Sequence, residues 1–155
     1  NMRRIQNVMN DAILPNATIF QADEVPINDR LDWHFRSLRK LKAAGMIFVD
    51  PDIGFVVSSS GPLKYPKYVF YREFLDYLEN SESVISIQFT RQQKAYSRTE
   101  RAFKEIDVFS SDCHKLPALR VSDIEFIGIS NANSVASLVQ AFEEINYELN
   151  GRKTL

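Results

Sequence analysis

Two hydrophobic periods run through this chain and divide it into segments. At residues 3–14, Ile5, Val8, Met9, Ala12 and Ile13 share one helical face, and Pro15-Asn16 ends the predicted helix. "ATIFQ" at 17–21 is a short β-rich run that leads into Asp23 and Glu24. "LDWHFRSLRKLKAAG" returns to helical spacing, with Leu31, Phe35, Leu38 and Leu41 in register and Gly45 as its stop. "MIFV" at 46–49 is continuously apolar, as a strand buried on both faces requires.

Residues 51–67 read as a long loop rich in serine, glycine and proline. "KYVFYREFLDYLEN" predicts a helix, and the aromatic series Tyr65, Tyr68, Phe70, Tyr71, Phe74 and Tyr77 is expected to pack that helix on a sheet. "SVISIQF" at 83–89 predicts a strand, and residues 92–106 a charged helix. "LPALRV" and "IEFIGIS" flank Ser122-Asp123 and predict an antiparallel hairpin. "SVASLVQAFEEINYELNG" predicts a last helix ending at Gly151.

Strands alternating with helices call for right-handed crossovers. The pattern therefore predicts an α/β fold: a three-layer, Rossmann-like sandwich with a mostly parallel sheet and an antiparallel hairpin added at its C-terminal edge. A length of 155 residues, 45% of them hydrophobic, suits one domain over 1–155. With 19 basic and 20 acidic residues the net charge of -1 supplies no general attraction to polyanions. Nucleic acid would need a local patch, for which the basic stripe Arg91, Lys94, Arg98, Arg101 and Lys104 is the candidate and a solvated helix face the plain alternative. The single Cys113 excludes an internal disulfide, and no apolar run reaches the roughly 20 residues of a membrane helix. These features predict a cytoplasmic protein without membrane contact.

In open α/β sheets, ligands bind beyond the carboxyl ends of the strands. The predicted strands end in Asp23 and Glu24, in Asp50 and Asp52, in Gln88, Thr90 and Arg91, and in Ser130 and Asn131. Parallel strands would gather the first three sets on one rim. Asp50 and Asp52 are the candidate catalytic pair, because two carboxylates two residues apart can share a divalent cation or hold one proton between them. Asp23, Lys64, Lys67, Gln88 and Arg91 are the candidate binding residues. Ordinary turn chemistry explains Asp-Pro-Asp followed by glycine equally well. The chain contains neither a Walker-type phosphate loop nor the Gly-rich dinucleotide fingerprint, so the loop lysines read first as solvated. His34, near a helix start, is either an acid/base group or a packing residue. Cys113-His114 lacks the further ligands of a zinc site.

In order, "ILPNATIF", "WHFRSLRKLKAAGMIFVDPDIGF", "KYPKYVFYREF" and "SIQFTR" resemble a family of uncharacterised bacterial and phage proteins over most of residues 13–149. In that family a strand ends in Asp-Pro-Asp-Asn-Gly, a Lys-Tyr-Val helix with a glutamate follows, and a later strand ends in Gln-His. Asp50, Pro51, Asp52, Gly54, Lys67, Tyr68, Glu73, Gln88 and Arg91 match, whereas Ile53, Val56 and Phe89 depart. The resemblance implies further chain upstream, including an early strand, and the missing histidine removes a general base from that strand end. The order of elements is also similar to class I methyltransferases, with Asp50-Pro51 matching the start of their Asp-Pro-Pro-Tyr turn, though without the Gly-rich cofactor loop. Three functions follow as expectations. The first is a methyltransferase-related protein that uses S-adenosylmethionine. The second is a Mg²⁺-dependent phosphoryl hydrolase or nuclease with Lys64 or Lys67 beside the phosphate. The third is a non-catalytic binding module of phage or defence context.

Overall fold

The computed structural model describes residues 18–21, 23–56, 61–90, 95–131 and 134–151. The helix expected at 3–14 and the candidate Arg91 lie outside the described residues. Among the described residues the elements follow in the order α1 (Arg30–Leu41), β1 (Met46–Val49), β2 (Gly54–Phe55), a 3-10 helix (Pro62–Lys67), β3 (Tyr68–Val69), α2 (Tyr71–Glu79), β4 (Ser83–Phe89), α3 (Ala95–Phe109), β5 (His114–Lys115), β6 (Leu119–Val121), β7 (Ile124–Ser130) and α4 (Val135–Gly151). No described helix is long and apolar enough to cross a membrane.

Local chemistry accounts for these boundaries. Asp32 in the first turn of α1 and Arg39 and Lys40 in its last complement the helix dipole. At the start of α2 the Glu73 carboxylate reaches back one turn and accepts the Phe70 N–H at 3.3 Å. Tyr68 and Val69, expected to be helical, instead pair with Gly54 and Phe55 as a second, two-stranded sheet. Residues 18–21 form no strand. Gln21 donates to the Ser37 hydroxyl of α1 at 3.0 Å, so this segment is tied to a helix.

The strands at 46–49, 83–89 and 124–130 form where the apolar runs place them, but they combine differently from the expected mostly parallel Rossmann-like sandwich. The order is β1-β4-β7, with β5 and β6 both on the far side of β7. In this sheet β1 and β4 are parallel, with Met46 opposite Ser83 and Val49 opposite Ser86. All other pairs are antiparallel. The physical reason lies in β7. Ile127 and Ile129 are fully buried on one face, while Gly128 meets Leu116 on the other. A strand with two apolar faces belongs inside a sheet. The hairpin partner carries exposed Arg120 and Val121 and is interrupted at Pro117, which has no N–H for a ladder, so it takes the edge. The hairpin therefore inserts β7 against β4 and reverses the sheet's direction there.

The register divides the sheet into two faces. Ile47, Val84, Ile127 and Ile129 face α1, α2 and α3, which contribute Leu38, Leu41, Phe74, Tyr77, Ala102 and Ile106. Full burial of side chains such as Phe74 and Ile106 stabilises the fold by about 1.5–3 kcal/mol each. Among the described helices α4 covers the opposite face, where its Phe142 packs with Ile85, Leu116 and Leu119. On α1 the buried stripe is His34, Ser37, Leu38 and Leu41. Leu31 and Phe35, in helical register with Leu38 and Leu41 by sequence, are 67% and 50% exposed.

Candidate functional site

Because β1 and β4 run in parallel, their carboxyl ends lie side by side. Asp50 follows Val49 directly, and Gln88 is the penultimate residue of β4. Between β1 and β2 the chain turns through Asp50-Pro51-Asp52-Ile53-Gly54. Ile53 N–H donates to the Lys67 carbonyl at 3.0 Å, and Val56 N–H to the Val69 carbonyl at 3.0 Å, which pins the turn to the 3-10 helix and β3. Phe55 anchors it, stacked on Tyr71 at 4.9 Å and edge-on to Phe74 at 5.1 Å.

Gln88 holds the turn from below. Its Oε1 accepts the Phe55 N–H at 3.0 Å, and its Nε2 donates to the Phe89 carbonyl at 3.0 Å. The side chain lies against Gly54 so closely that a Cβ on that glycine would come within 2.6 Å of Nε2. Gly54 also has φ of +119°, a conformation that disfavours side chains. Gln88 was expected to bind a ligand, but both ends of its amide are engaged within the protein.

Above this clamp, Asp50 and Asp52 are exposed. The Asp50 carboxyl is nevertheless partly shielded from water, and that shielding, followed by the charge of Asp52, holds its pKa above the ordinary carboxylate value. Lys67 is exposed and its carbonyl is bonded to Ile53, so its backbone borders the turn. Lys64 belongs to the neighbouring 3-10 helix. Asp23 accepts a bond from Gln21 at 3.4 Å, and its carbonyl accepts the Trp33 indole N–H at 3.3 Å, so it is carried by α1 and not by a strand end. Ser130 and Asn131 lie at the opposite end of the sheet, since the antiparallel register pairs Ser130 with Ser83 at the start of β4.

The residue pattern left two features unread. One is Glu125, buried directly across from Gln88, whose carboxylate accepts the Thr99 hydroxyl proton. Its signal was an acid within the apolar run "IEFIGIS". The other is Arg30, which makes a bidentate pair with Glu73 at 2.6 and 2.7 Å and donates to the carbonyls of Tyr65 and Tyr68 at 2.6 and 2.7 Å. That one guanidinium joins α1, α2, the 3-10 helix and β3. No spacing rule connects residues 30 and 73.

His34 is buried, and its Nε2 lies 2.9 Å from an Asp76 carboxylate oxygen. It packs edge-on against Tyr77 at 5.0 Å, which supports the packing reading. Burial also pushes the Cys113 thiol above its usual pKa, which lowers its thiolate fraction and its nucleophilicity.

Among the described residues, cavities lie elsewhere. A cleft of about 520 Å³ has Asp76, Glu79, Asp112, Cys113 and Asn131 in its wall. A mainly apolar groove of about 460 Å³ runs between Leu31, Val56, Phe70, Tyr71 and Phe109. Neither cavity includes Asp50 or Asp52, which are exposed to solvent. Among the described residues, no three His, Cys, Asp or Glu side chains converge as they would around a metal ion. Comparison with protein-family models, curated proteins and solved structures finds no match to the chain.

Proposed function

We propose that the chain is a ligand-binding α/β module whose site is the Asp50–Asp52 turn, with Asp50 as the acceptor for an amine or other cationic N–H group. One observation carries this reading. Two exposed carboxylates sit at the carboxyl end of a parallel strand pair, on a turn fixed from beneath by Gln88 and from the side by Phe55. A raised carboxyl pKa means that Asp50 gains from a cationic partner, which offsets the repulsion of Asp52. The class of ligand we favour is a cationic cofactor such as S-adenosylmethionine, in keeping with the likeness of Asp50-Pro51 to the methyltransferase turn.

A second reading, Mg²⁺ with a phosphate ligand, draws on the same two acids, which would supply part of the oxygen shell while water and substrate complete it. Backbone amide NMR separates the two. Titration with S-adenosylmethionine should shift residues 50–54 in the wild type, and Asp50→Asn should weaken the effect about tenfold, as loss of a charge-assisted hydrogen bond predicts. Shifts produced by Mg²⁺ alone would favour the metal. If both titrations leave residues 50–54 unmoved, the site is not there.

A further inference from the structure

The geometry points to self-association of this chain through the outer edge of β1, two copies pairing antiparallel about Ile47 to give one continuous sheet. Three observations carry it. First, β1 pairs with β4 on one side and meets no strand on the other among the described residues. Its sequence, Met46-Ile47-Phe48-Val49, has no charge, no proline and no bulge, the devices that ordinarily protect an edge strand.

Second, Met46 and Phe48 point to the face that α1, α2 and α3 do not cover, and they are 49% and 52% exposed. Phe48 touches Phe126 of β7, with ring centroids 6.3 Å apart, so the apolar strip continues inward across the sheet. Helix α4, the one described helix on that face, packs around Leu116, Leu119, Ile85 and Phe126, a cluster that does not include Met46 or Phe48.

Third, the strand and its flanks complement themselves. A two-fold axis at Ile47 sets Met46 opposite Phe48 of the second copy on the uncovered face, and Phe48 opposite Met46. Cross-strand apolar pairs of this kind stabilise a sheet. The same register carries the acidic turn that follows β1 toward the segment that precedes β1 in the other copy. There α1 ends in Arg39 and Lys40, with exposed Lys42 just beyond. In this register Asp52 stands opposite Lys42 twice, once on each side of the axis, and Asp50 stands opposite the uncharged Ala44. A second copy satisfies the free backbone groups, the apolar pair and the charges together. An isologous contact also closes on itself and does not propagate into a fibre.

Sedimentation velocity over a concentration series tests this. The wild type should show a monomer–dimer equilibrium. Phe48→Lys, a change at a half-exposed position, should give folded monomer at every concentration, with a melting temperature that no longer depends on protein concentration. Lys42→Glu should weaken dimerisation about tenfold, and Lys42→Glu combined with Asp52→Lys should recover it, as for a reversed charge pair. A wild type that stays monomeric to its solubility limit overturns the inference, and so does a dimer that survives Phe48→Lys. Failure of the charge swap to recover association overturns the register. These readouts involve no ligand, so they stand apart from the binding proposed at Asp50.

Discussion

Asp50 and Gln88 occupy adjacent strand ends and have opposite roles. Gln88 is 6% exposed, with donor and acceptor both used inside the fold. Asp50 is open to solvent, next to a second carboxylate. Gln88 belongs to the inner side of the turn and Asp50 to its outer side, and Gly54 is the point where the turn closes on Gln88. The contrast teaches that polar residues at a strand end divide by depth. The inner ones replace lost water with internal hydrogen bonds, and the outer ones stay free for a partner.

Gly54 is where the inner side can be broken most severely. Gly54→Ala combines a strained φ with a Cβ placed on the Gln88 amide, which can yield only by giving up the hydrogen bonds to Phe55 and Phe89. A destabilisation of about 4 kcal/mol is expected from strain and overpacking together. Urea unfolding measures it. A loss under about 1 kcal/mol would mean that the turn relaxes and the clamp is soft.

That division by depth also marks what the amino-acid pattern could and could not convey. The runs 46–49, 83–89 and 124–130 are strands because continuous β-branched and aromatic residues suit a surface packed on both sides. Their order was out of reach by the same logic. An apolar run says that a strand is interior but not which neighbour lies beside it, and β7 chose β4 through a long-range pairing. Helix α1 misled because Leu31 and Phe35 are stronger apolar signals than His34 and Ser37, yet the buried pair satisfies its polar atoms in part through Asp76 and Trp33. Asp50 and Asp52 were legible as a strand-end pair. That the Gln88 amide bonds within the fold was not, because its partner is a backbone N–H 33 residues away.

The second-largest effect is expected at the support of the turn. Arg30 and Glu73 are 14% and 13% exposed, so removing one partner leaves a poorly solvated charge. Arg30→Ala also removes a charged donor from the carbonyls of Tyr65 and Tyr68, the first of which keeps the Tyr68 N–H. About 3 kcal/mol of destabilisation follows, less than for a fully buried pair. If the turn depends on this support, hydrogen exchange at the Ile53 and Val56 amides should quicken in the variant; unchanged exchange would separate the support from the clamp.

Gln88→Ala sharpens the contrast at its centre. It removes the acceptor of the buried Phe55 N–H and opens space beneath Gly54. The expected loss is about 2 kcal/mol by thermal or urea unfolding. The double variant Gly54→Ala/Gln88→Ala should be less destabilised than the sum of the singles, because the added methyl then meets no amide. Strict additivity would show that the two residues do not act as one clamp.

The smallest effect should come from Asp50, and its sign is opposite. A carboxyl whose folded pKa lies above its unfolded value holds its proton longer in the folded state. Stability therefore falls as pH rises from the ordinary value of 3.8 through the raised one, and the deficit persists at neutral pH. Asp50→Asn removes that deficit. At neutral pH the variant should be more stable than wild type, by about 0.5 kcal/mol or less because solvent screens an exposed charge. Well below pH 3.8, where the wild-type carboxyl is protonated in both states, the difference should vanish. Urea midpoints at the two pH values make the comparison. A variant that is less stable at neutral pH would place Asp50 among the inner, fold-bearing residues with Gln88, and the outer side of the turn would lose its claim to be a binding rim.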